Sequence, residues 1–316
     1  MGCTVKREQH GSAVRLIVVT IGLLIAGLLT AVHMSPAAAA TLDRVKAAGK
    51  LALGYRTDAQ PFSYRDSSGG PAGYSVTLCQ KIADQVKAEL GLPTLSVEWV
   101  PVTVPDRFSD VQQGKIDLLC GAASATLTRM KEVSFSIPIF PGGIGALLRA
   151  DSPSRLRDLL TGAPPLSHPV WRGSPALTFL EKKTFAVVKG STSEPWLAGR
   201  LKQFEIDASV VVIENYDAGV QRVLDRKADV LFGDRAILLQ AAKRNASEDL
   251  FVLDRLFTYE PIALGFARGD EDLRLLVDRT LSRTYRSKEL GPLYSKWFGS
   301  LEEGEATFFQ QSALPE

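Results

Sequence analysis

Hydrophobic and polar residues follow two alternating patterns along the chain, one typical of strands and the other of amphipathic helices. Short apolar runs predict strands at residues 50–55, 95–102, 115–122, 143–150, 184–190, 209–214, 228–234 and 251–254, and a further apolar run covers 262–268. Apolar positions three and four apart predict helices at residues 75–91, 105–113, 191–202, 218–227, 236–244, 270–287 and 288–298, with one helical turn near 126–131. Strands that alternate with helices indicate an α/β protein.

Two stretches depart from this alternation. Residues 152–174 are irregular and rich in proline, as in GAPPLSHP, and we expect a surface excursion with one short helix near 155–160. The last segment, GSLEEGEATFFQQSALPE, is predicted to be a tail of low order. The order of elements fits two lobes with a cleft between them, and it equally fits one doubly wound domain with insertions.

The N-terminal segment has the parts of a secretory signal. Basic residues in positions 1–15 precede the apolar run LIVVTIGLLIAGLLTAV, which ends in the small residues SPAAAA. An uncleaved membrane anchor is the alternative, although this run is at the short end of the roughly 17–25 residues that span a bilayer. We expect cleavage near Ala39–Ala40 and export of residues 41–316 to the periplasm.

Composition excludes several classes of function. The chain has a net charge of +2, and removal of residues 1–40 takes away three basic residues and one acidic residue, which leaves a neutral chain. A neutral chain gives no electrostatic reason to bind nucleic acid. Beyond the signal, only Cys79, Cys120 and His168 remain among cysteines and histidines, too few for a metal cluster or a catalytic pair. The two cysteines form either a disulfide or two buried thiols.

Five separated segments resemble the periplasmic solute-binding proteins of polar amino-acid ABC transporters (family 3). They are KAAGKLALGYRTDAQPFSYRDSSGGPAGYSVTLCQKIA, QQGKIDLLCGAASATLTRMKEVSFSIPIF, VVKGSTSEPWL, RKADVLFGDRAILL and ELGPLYSKWFGS. The segments look closest to the glutamate/aspartate-binding branch. The resemblance implies a protein that is not an enzyme, holds no cofactor, acts as a monomer and delivers a free amino acid to an ABC permease.

The same resemblance implies the type II periplasmic-binding fold, two α/β lobes joined by two crossing hinge strands. Lobe 1 is then expected from residues 41–149 and 260–300, and lobe 2 from 150–259 with an irregular insertion at 152–183. Residues 301–316 form the C-terminal tail. The crossings are expected near 149–152 and 257–262.

A free amino acid needs a partner for its carboxylate, because an unpaired buried charge is costly. Ser124, Thr126 and Arg129 match the family pattern for that role, and an arginine fork meets a carboxylate through two parallel hydrogen bonds. From lobe 2, Thr192 follows Gly190 and is expected to face the same carboxylate. A helix cap followed by an exposed arginine would explain the first segment without any ligand.

Asp234 ends a predicted strand, where ligands of open α/β sheets bind, and is the candidate partner for the ammonium group. Arg56 is expected to face the ligand side chain, which favours an acidic ligand. Tyr216 stands where the glutamate/aspartate branch has a histidine, which weakens the case for strict acidic specificity. Phe62 is a candidate wall of the site. Alternatively, Asp234 is only a helix cap and Arg56 a solvated loop residue.

Two other functions fit the same fold. The first is an enzyme resembling cyclohexadienyl dehydratases, which needs a general acid or base in the cleft. Glu194 is the only obvious candidate for that role, although its position fits a capping residue better. The second is a sensor that binds the solute but serves no transporter. One sequence does not separate the sensor from the transport protein.

Overall fold

The computed structural model describes residues 1–2, 41–162, 175–245 and 250–316. The expected export signal lies outside the described residues, apart from the first two positions, and so does most of the proline-rich excursion. Within the described ranges, every helix is too short or too polar to cross a bilayer.

The strands, numbered in chain order, are β1 (Lys50–Arg56), β2 (Asp58–Ala59), β3 (Ser63–Arg65), β4 (Pro71–Ala72), β5 (Ser96–Val102), β6 (Leu118–Ser124), β7 (Ser134–Phe135), β8 (Phe140–Gly142), β9 (Ile144–Arg149), β10 (Thr184–Val188), β11 (Ser209–Ile213), β12 (Val230–Asp234), β13 (Leu250–Val252) and β14 (Glu260–Phe266).

The helices are α1 (Thr41–Ala48), α2 (Tyr74–Leu90), α3 (Arg107–Gln112), α4 (Ser154–Thr161), α5 (Pro175–Glu181), α6 (Ser193–Phe204), α7 (Tyr216–Leu224), α8 (Arg235–Arg244), α9 (Glu271–Arg286), α10 (Leu290–Phe298) and α11 (Glu303–Ser312), with a short 3₁₀ turn at Arg129–Lys131. The predicted α/β class is confirmed.

Two sheets divide these elements into two lobes. In lobe 1 the strand order is β5-β1-β6-β14-β7, with β8 also paired to β14. Strands β5, β1 and β6 are parallel, and β14 runs antiparallel to β6. In lobe 2 the order is β11-β10-β12-β9-β13, in which β10 is parallel to β11 and β12 while β9 is antiparallel. A small three-stranded sheet, β2-β3-β4, follows β1.

The placement of the strand predicted at 143–150 in lobe 1 is wrong. Strand β9 pairs with β12 and β13, and therefore belongs to the lobe 2 sheet. The chain crosses between the lobes at Gly142–Gly143, where β8 ends and β9 begins, and not near 149–152. A side chain at Gly143 would clash with the Thr258 carbonyl oxygen, 2.1 Å from an ideal Cβ, so the close approach of the two crossing segments requires glycine here.

The chain returns to lobe 1 between β13 and β14. Phe257 donates its backbone N–H to the Ile144 carbonyl (2.8 Å), and Glu260 pairs with Gly142 across the first crossing. The two crossing segments therefore run side by side and hold each other by backbone hydrogen bonds.

The C-terminal segment forms an ordered element, and the prediction of a tail of low order is wrong. Helix α11 buries Phe309 completely, with its ring 4.9 Å from that of Tyr285 and 5.9 Å from that of Tyr294. Burial of a phenylalanine side chain stabilises a fold by about 1.5–3 kcal/mol. One apolar residue per helical turn gave too little periodicity to predict this helix from sequence.

Cys79 and Cys120 form a disulfide, with Cα atoms 6.1 Å apart. The bond joins helix α2 to strand β6 four residues before Ser124, the last residue of the strand. It resolves the choice between a disulfide and two free thiols. Disulfides persist in oxidising compartments outside the cytoplasm, which agrees with an exported protein.

Replacing both cysteines, as Cys79→Ala with Cys120→Ala, should lower the free energy of unfolding by about 3–4 kcal/mol, because the bond closes a loop with a sequence separation of 41. Urea unfolding followed by circular dichroism measures this difference. Dithiothreitol should lower the midpoint of the wild type and leave the double variant unchanged. A wild type that is equally insensitive to dithiothreitol would contradict the bond.

Candidate functional site

The carboxyl ends of the parallel strands of both sheets line one cavity between the two sheets. Arg56 ends β1, Ser124 ends β6 and Asp234 ends β12. Ligands of open α/β sheets bind at such strand ends. Fifteen residues line the cavity: Arg56, Val104, Arg107, Ala122, Ser124, Arg129, Gly143, Ile144, Val188, Ser191, Thr192, Ser193, Tyr216, Asp234 and Glu260.

Arg129 is fixed by the turn that follows β6. Its backbone N–H donates to the Thr126 hydroxyl (3.2 Å), and its Nη1 donates to the Ser124 carbonyl (3.0 Å). Its Nη2 reaches across the cleft and donates to the carbonyl of Gly190 in lobe 2 (3.2 Å). Burial lowers the pKa of this guanidinium. Arg129 is therefore a half-buried cation that is held in place by hydrogen bonds and directed at lobe 2.

Arg107 is a second cavity cation, at the start of α3. Its Nη2 donates to the same Gly190 carbonyl (3.2 Å), and its guanidinium carbon lies 4.2 Å from the centre of the Phe108 ring. Burial lowers the pKa of Arg107 well below its usual value, and the positive charges of Arg129 and Arg56 add to that effect. Its Nε is buried without a hydrogen-bond partner within the described part of the chain. Such a group is complementary to an anion.

No motif marks Arg107 in the sequence, because it stands on a short helix whose pattern matches an ordinary surface helix. The one signal is its position a few residues beyond β5, a strand parallel to and paired with β1. Residues that follow the carboxyl end of a parallel strand face the cleft.

Arg56 lies at the cavity with a buried side chain, so it is not a solvated loop residue. Its Nε donates to Asp58 (2.7 Å), and Nη2 lies 2.6 Å from the same carboxylate oxygen. An ideal Cβ at Gly121 would lie 3.3 Å from the Arg56 Cγ, so the glycine leaves room for this side chain. Arg56 therefore enters the cavity already neutralised by Asp58.

The lobe 2 wall is the turn from β10 into α6. Thr192 directly precedes the first helical residue of α6, and Glu194 reaches back to accept the Gly190 N–H (2.7 Å). Thr192 donates its hydroxyl proton to the carboxylate of Glu260 (2.6 Å). The turn thus presents hydroxyls and the N-terminus of α6 to the cavity, an arrangement that favours an anion.

Asp234 combines the capping role and the cavity position. Its Oδ1 accepts the N–H groups of Ala236 (3.0 Å) and Ile237 (3.2 Å) at the start of α8. Burial raises the pKa of Asp234 to about 7, and the negative charge of Glu260 acts in the same direction. Capping uses only Oδ1, so the cap does not exclude the expected contact of Asp234 with a ligand.

Tyr216 is buried, and its hydroxyl accepts the backbone N–H of Asp234 (3.1 Å). An ideal Cβ at Gly233 would lie 2.5 Å from the Tyr216 ring, so only glycine fits below it. The hydroxyl proton remains available to a cavity ligand because this hydrogen bond uses only a lone pair. Burial raises the pKa of Tyr216, which keeps the hydroxyl protonated.

Two predicted site residues lie elsewhere. Phe62 is fully buried in lobe 1, in contact with the rings of Tyr74, Phe140 and Phe298, and is corrected to a core residue. Thr126 does not line the cavity; its hydroxyl supports the backbone of Arg129.

Comparison with known proteins gives one family. The model of the bacterial extracellular solute-binding proteins, family 3, matches residues 51–300. The L-glutamate/L-aspartate-binding protein of Pseudomonas aeruginosa is 28% identical over 277 residues, which cover 87% of this chain and 85% of that protein. The glutamate/aspartate import solute-binding protein of Escherichia coli is 25% identical over 276 residues, with 87% and 85% covered.

Among solved structures, one similar chain is an ancestral amino acid-binding protein that is a precursor of cyclohexadienyl dehydratase. It is 26% identical, with a TM-score of 0.66, and the match covers 82% of this chain and 100% of that chain. The likeness extends over both lobes, and the type II periplasmic-binding fold is confirmed.

The carboxyl carbon resonance of Asp234 should titrate with a midpoint near pH 7 in the ligand-free protein, because burial raises its pKa to about 7. Carbon-13 NMR across pH 3–9 measures it, and Asp234→Asn identifies the signal by its loss. Asp66 is the internal reference, since hydrogen bonds led by that of Ser68 lower its pKa. An Asp234 midpoint near the ordinary value of about 4 would contradict the described burial.

Proposed function

This chain belongs to the bacterial extracellular solute-binding proteins, family 3, and from that premise we propose that it captures a free acidic amino acid, glutamate or aspartate. The observation that carries the proposal is the pair of guanidiniums, Arg107 and Arg129, that face one cavity opposite the carboxylate of Asp234. Arg107 and Arg129 complement the two carboxylates of such a ligand, and Asp234 complements its ammonium group.

The α-carboxylate is assigned to Arg129 and the turn at Thr192. In the structure, Arg129 donates to a neutral carbonyl of lobe 2, and a carboxylate is a stronger acceptor for the same fork. The N-terminus of α6 adds N–H groups from the opposite wall. Ser124 lines the same cavity.

The ammonium group is assigned to Asp234, whose Oδ2 is left free by the cap. An ammonium ion beside this carboxyl favours its charged form, so binding lowers the raised pKa of Asp234 and releases a proton when the pH is below about 7.

The acidic side chain is assigned mainly to Arg107, and this changes the role expected for Arg56. Each arginine keeps one buried nitrogen without a hydrogen-bond partner among the described residues, Nη2 of Arg56 and Nε of Arg107. Only Arg56 has a carboxylate beside it, that of Asp58, whereas Arg107 donates to a neutral carbonyl. The hydroxyl of Tyr216 is a further donor for the same carboxylate. The positive charge of Arg56 also attracts the carboxylate that Arg107 and Tyr216 bind, at longer range.

The assigned contacts also provide a reason for the two lobes to close around the ligand. A ligand that bridges Arg129 of lobe 1 and Thr192 of lobe 2 favours the closed arrangement by no more than its preference for that state. We propose that the closed, monomeric protein delivers its amino acid to an ABC permease in the periplasm, after cleavage of the signal near residues 39–40. The disulfide supports the oxidising location.

A second candidate function is a dehydratase-like enzyme. The observation in its favour is the pKa of Asp234, which at about 7 suits a general acid near neutral pH. Glu194 does not serve, because it caps the Gly190 N–H. Release of the dehydrated product from a prephenate-like acid by the purified protein would establish the enzyme, and no turnover would leave binding as the function.

Thermal-shift screening of the twenty amino acids should give the largest stabilisation with glutamate or aspartate, and calorimetry should give micromolar or tighter binding. Arg129→Ala should weaken that binding by about 3 kcal/mol, on the order of 100-fold, because it leaves a buried carboxylate unpaired. Exposed Arg65→Ala is the matched control. Failure of every amino acid to bind the wild type would overturn the proposal.

Arg107→Gln should weaken glutamate binding by about tenfold or more and glutamine binding far less, because only glutamate brings a second carboxylate to the guanidinium. Calorimetry with both ligands measures the ratio. Arg56→Gln should change the ratio less, since Asp58 already neutralises Arg56. Equal losses for glutamate and glutamine in Arg107→Gln would contradict the assignment.

A further inference from the structure

Glu260 is a cavity carboxylate at the hinge that none of the three ligand groups has yet used. It is the first residue of β14, where the chain returns to lobe 1, and it pairs with Gly142 on the outgoing crossing. It also lines the cavity together with Asp234 and Arg129. A carboxylate at this position is fixed to neither lobe alone and faces the ligand from the hinge side.

Two hydroxyls hold the Glu260 carboxylate in place. Thr192 of lobe 2 donates to Oε2 (2.6 Å), and Thr258 donates to Oε1 (2.9 Å). The Thr258 oxygen in turn accepts the N–H of Ile144 on the other crossing (3.0 Å). Both oxygens thus accept from neutral donors, and each keeps a lone pair for another donor. The negative charge is oriented by these contacts but is not neutralised by them.

The negative charge of Glu260 acts on Asp234 and Arg129, the two residues assigned to bind the ammonium and α-carboxylate groups of the ligand. Its negative charge raises the pKa of Asp234, and it opposes the lowering of the pKa of Arg129 by burial. The two carboxylates are therefore close enough to interact and act on the same part of the cavity.

An ammonium group carries three N–H donors, and Asp234 does not satisfy them alone. Its Oδ1 already accepts two backbone N–H groups, so Oδ2 is the atom it offers. A second acceptor with a negative charge, held rigidly beside the first, completes more of the ammonium shell than a water molecule or a hydroxyl.

We propose that Glu260 is a second ammonium-recognition group, and that it makes the cavity discriminate against dicarboxylates that lack an amino group. The proposal rests on the proposed function, in which the cavity binds an amino acid. A dicarboxylate such as glutarate brings two negative charges to Glu260 and no cation, whereas L-glutamate brings the cation that offsets them. The negative charge of Glu260 is thus expected to favour the binding of ligands that carry an ammonium group over those that do not.

The test compares L-glutamate with glutarate by calorimetry in the wild type and in Glu260→Gln. Glutamine keeps the length of the side chain and one oxygen acceptor for the threonine hydroxyls. We expect Glu260→Gln to weaken the binding of L-glutamate by about 10- to 100-fold. The affinity for glutarate should stay the same or increase. Glu260→Asp retains the charge and should retain most of the discrimination. Glu214→Gln, exposed on lobe 2, is the matched control.

Three results would overturn the inference. Equal weakening of both ligands would assign Glu260 only to the positioning of Thr192, and tighter binding of both would make it a competitor of the ligand carboxylate. No change in the affinity for either ligand would exclude Glu260 from ligand recognition. If the wild type binds no amino acid, the proposed function fails together with the inference; if it binds L-glutamate but Glu260→Gln keeps the wild-type discrimination, the inference alone fails. Thermal unfolding of each variant separates loss of recognition from loss of folding.

Discussion

Arg107, which is buried, and Arg129, which is half-buried, both donate to one carbonyl oxygen, that of Gly190 on the opposite lobe. Moving a charge out of water costs several kcal/mol, and two like charges at one acceptor add repulsion to that cost. The Phe108 ring, with its centre 4.2 Å and 5.3 Å from the two guanidinium carbons, offsets part of it. An anion between the lobes would offset far more, which makes the cavity complementary to a carboxylate ligand.

Much of the surrounding structure serves to keep these charges at the cleft. Parallel strands end together at the cavity, and the disulfide of Cys120 holds β6 to helix α2 a few residues before Ser124. On lobe 2, Gly233 leaves space for Tyr216, whose hydroxyl meets the backbone of Asp234. The crossings at Gly143 and Glu260 then align the two lobes so that the sets of strand ends face each other.

The fold was predictable from sequence where local pattern decided it. Helix α2 follows its apolar spacing and ends at Gly91, which has the positive φ of 66° that a left-handed helix cap requires. The lobe of β9 was not predictable, because an apolar strand does not specify its sheet, and the pairing with β12 is a contact distant in sequence. Helix α11 depends on tertiary contacts of Phe309 in the same way.

Some residues of the candidate site were likewise predictable from sequence, and others were not. Arg129, Thr192 and Asp234 lie in segments with a recognisable order, and the structure brings all three to one cavity. The prediction for Phe62 was wrong because an aromatic residue near a loop can line a ligand site or pack in the core. Only the burial of its side chain in the structure distinguishes these two positions. The ion pair of Arg56 with Asp58 and the cleft positions of Arg107 and Glu260 arise from the meeting of strand ends and crossings, which a linear pattern does not reveal.

A crystal structure of the protein grown with L-glutamate would show directly where each charged group of the ligand binds. We expect one glutamate between the lobes, with its α-carboxylate on Arg129 and the Thr192 turn, its ammonium on Asp234, and its side-chain carboxylate on Arg107. A glutamate bound elsewhere, or bound in the cleft with neither carboxylate on these two arginines, would contradict this assignment.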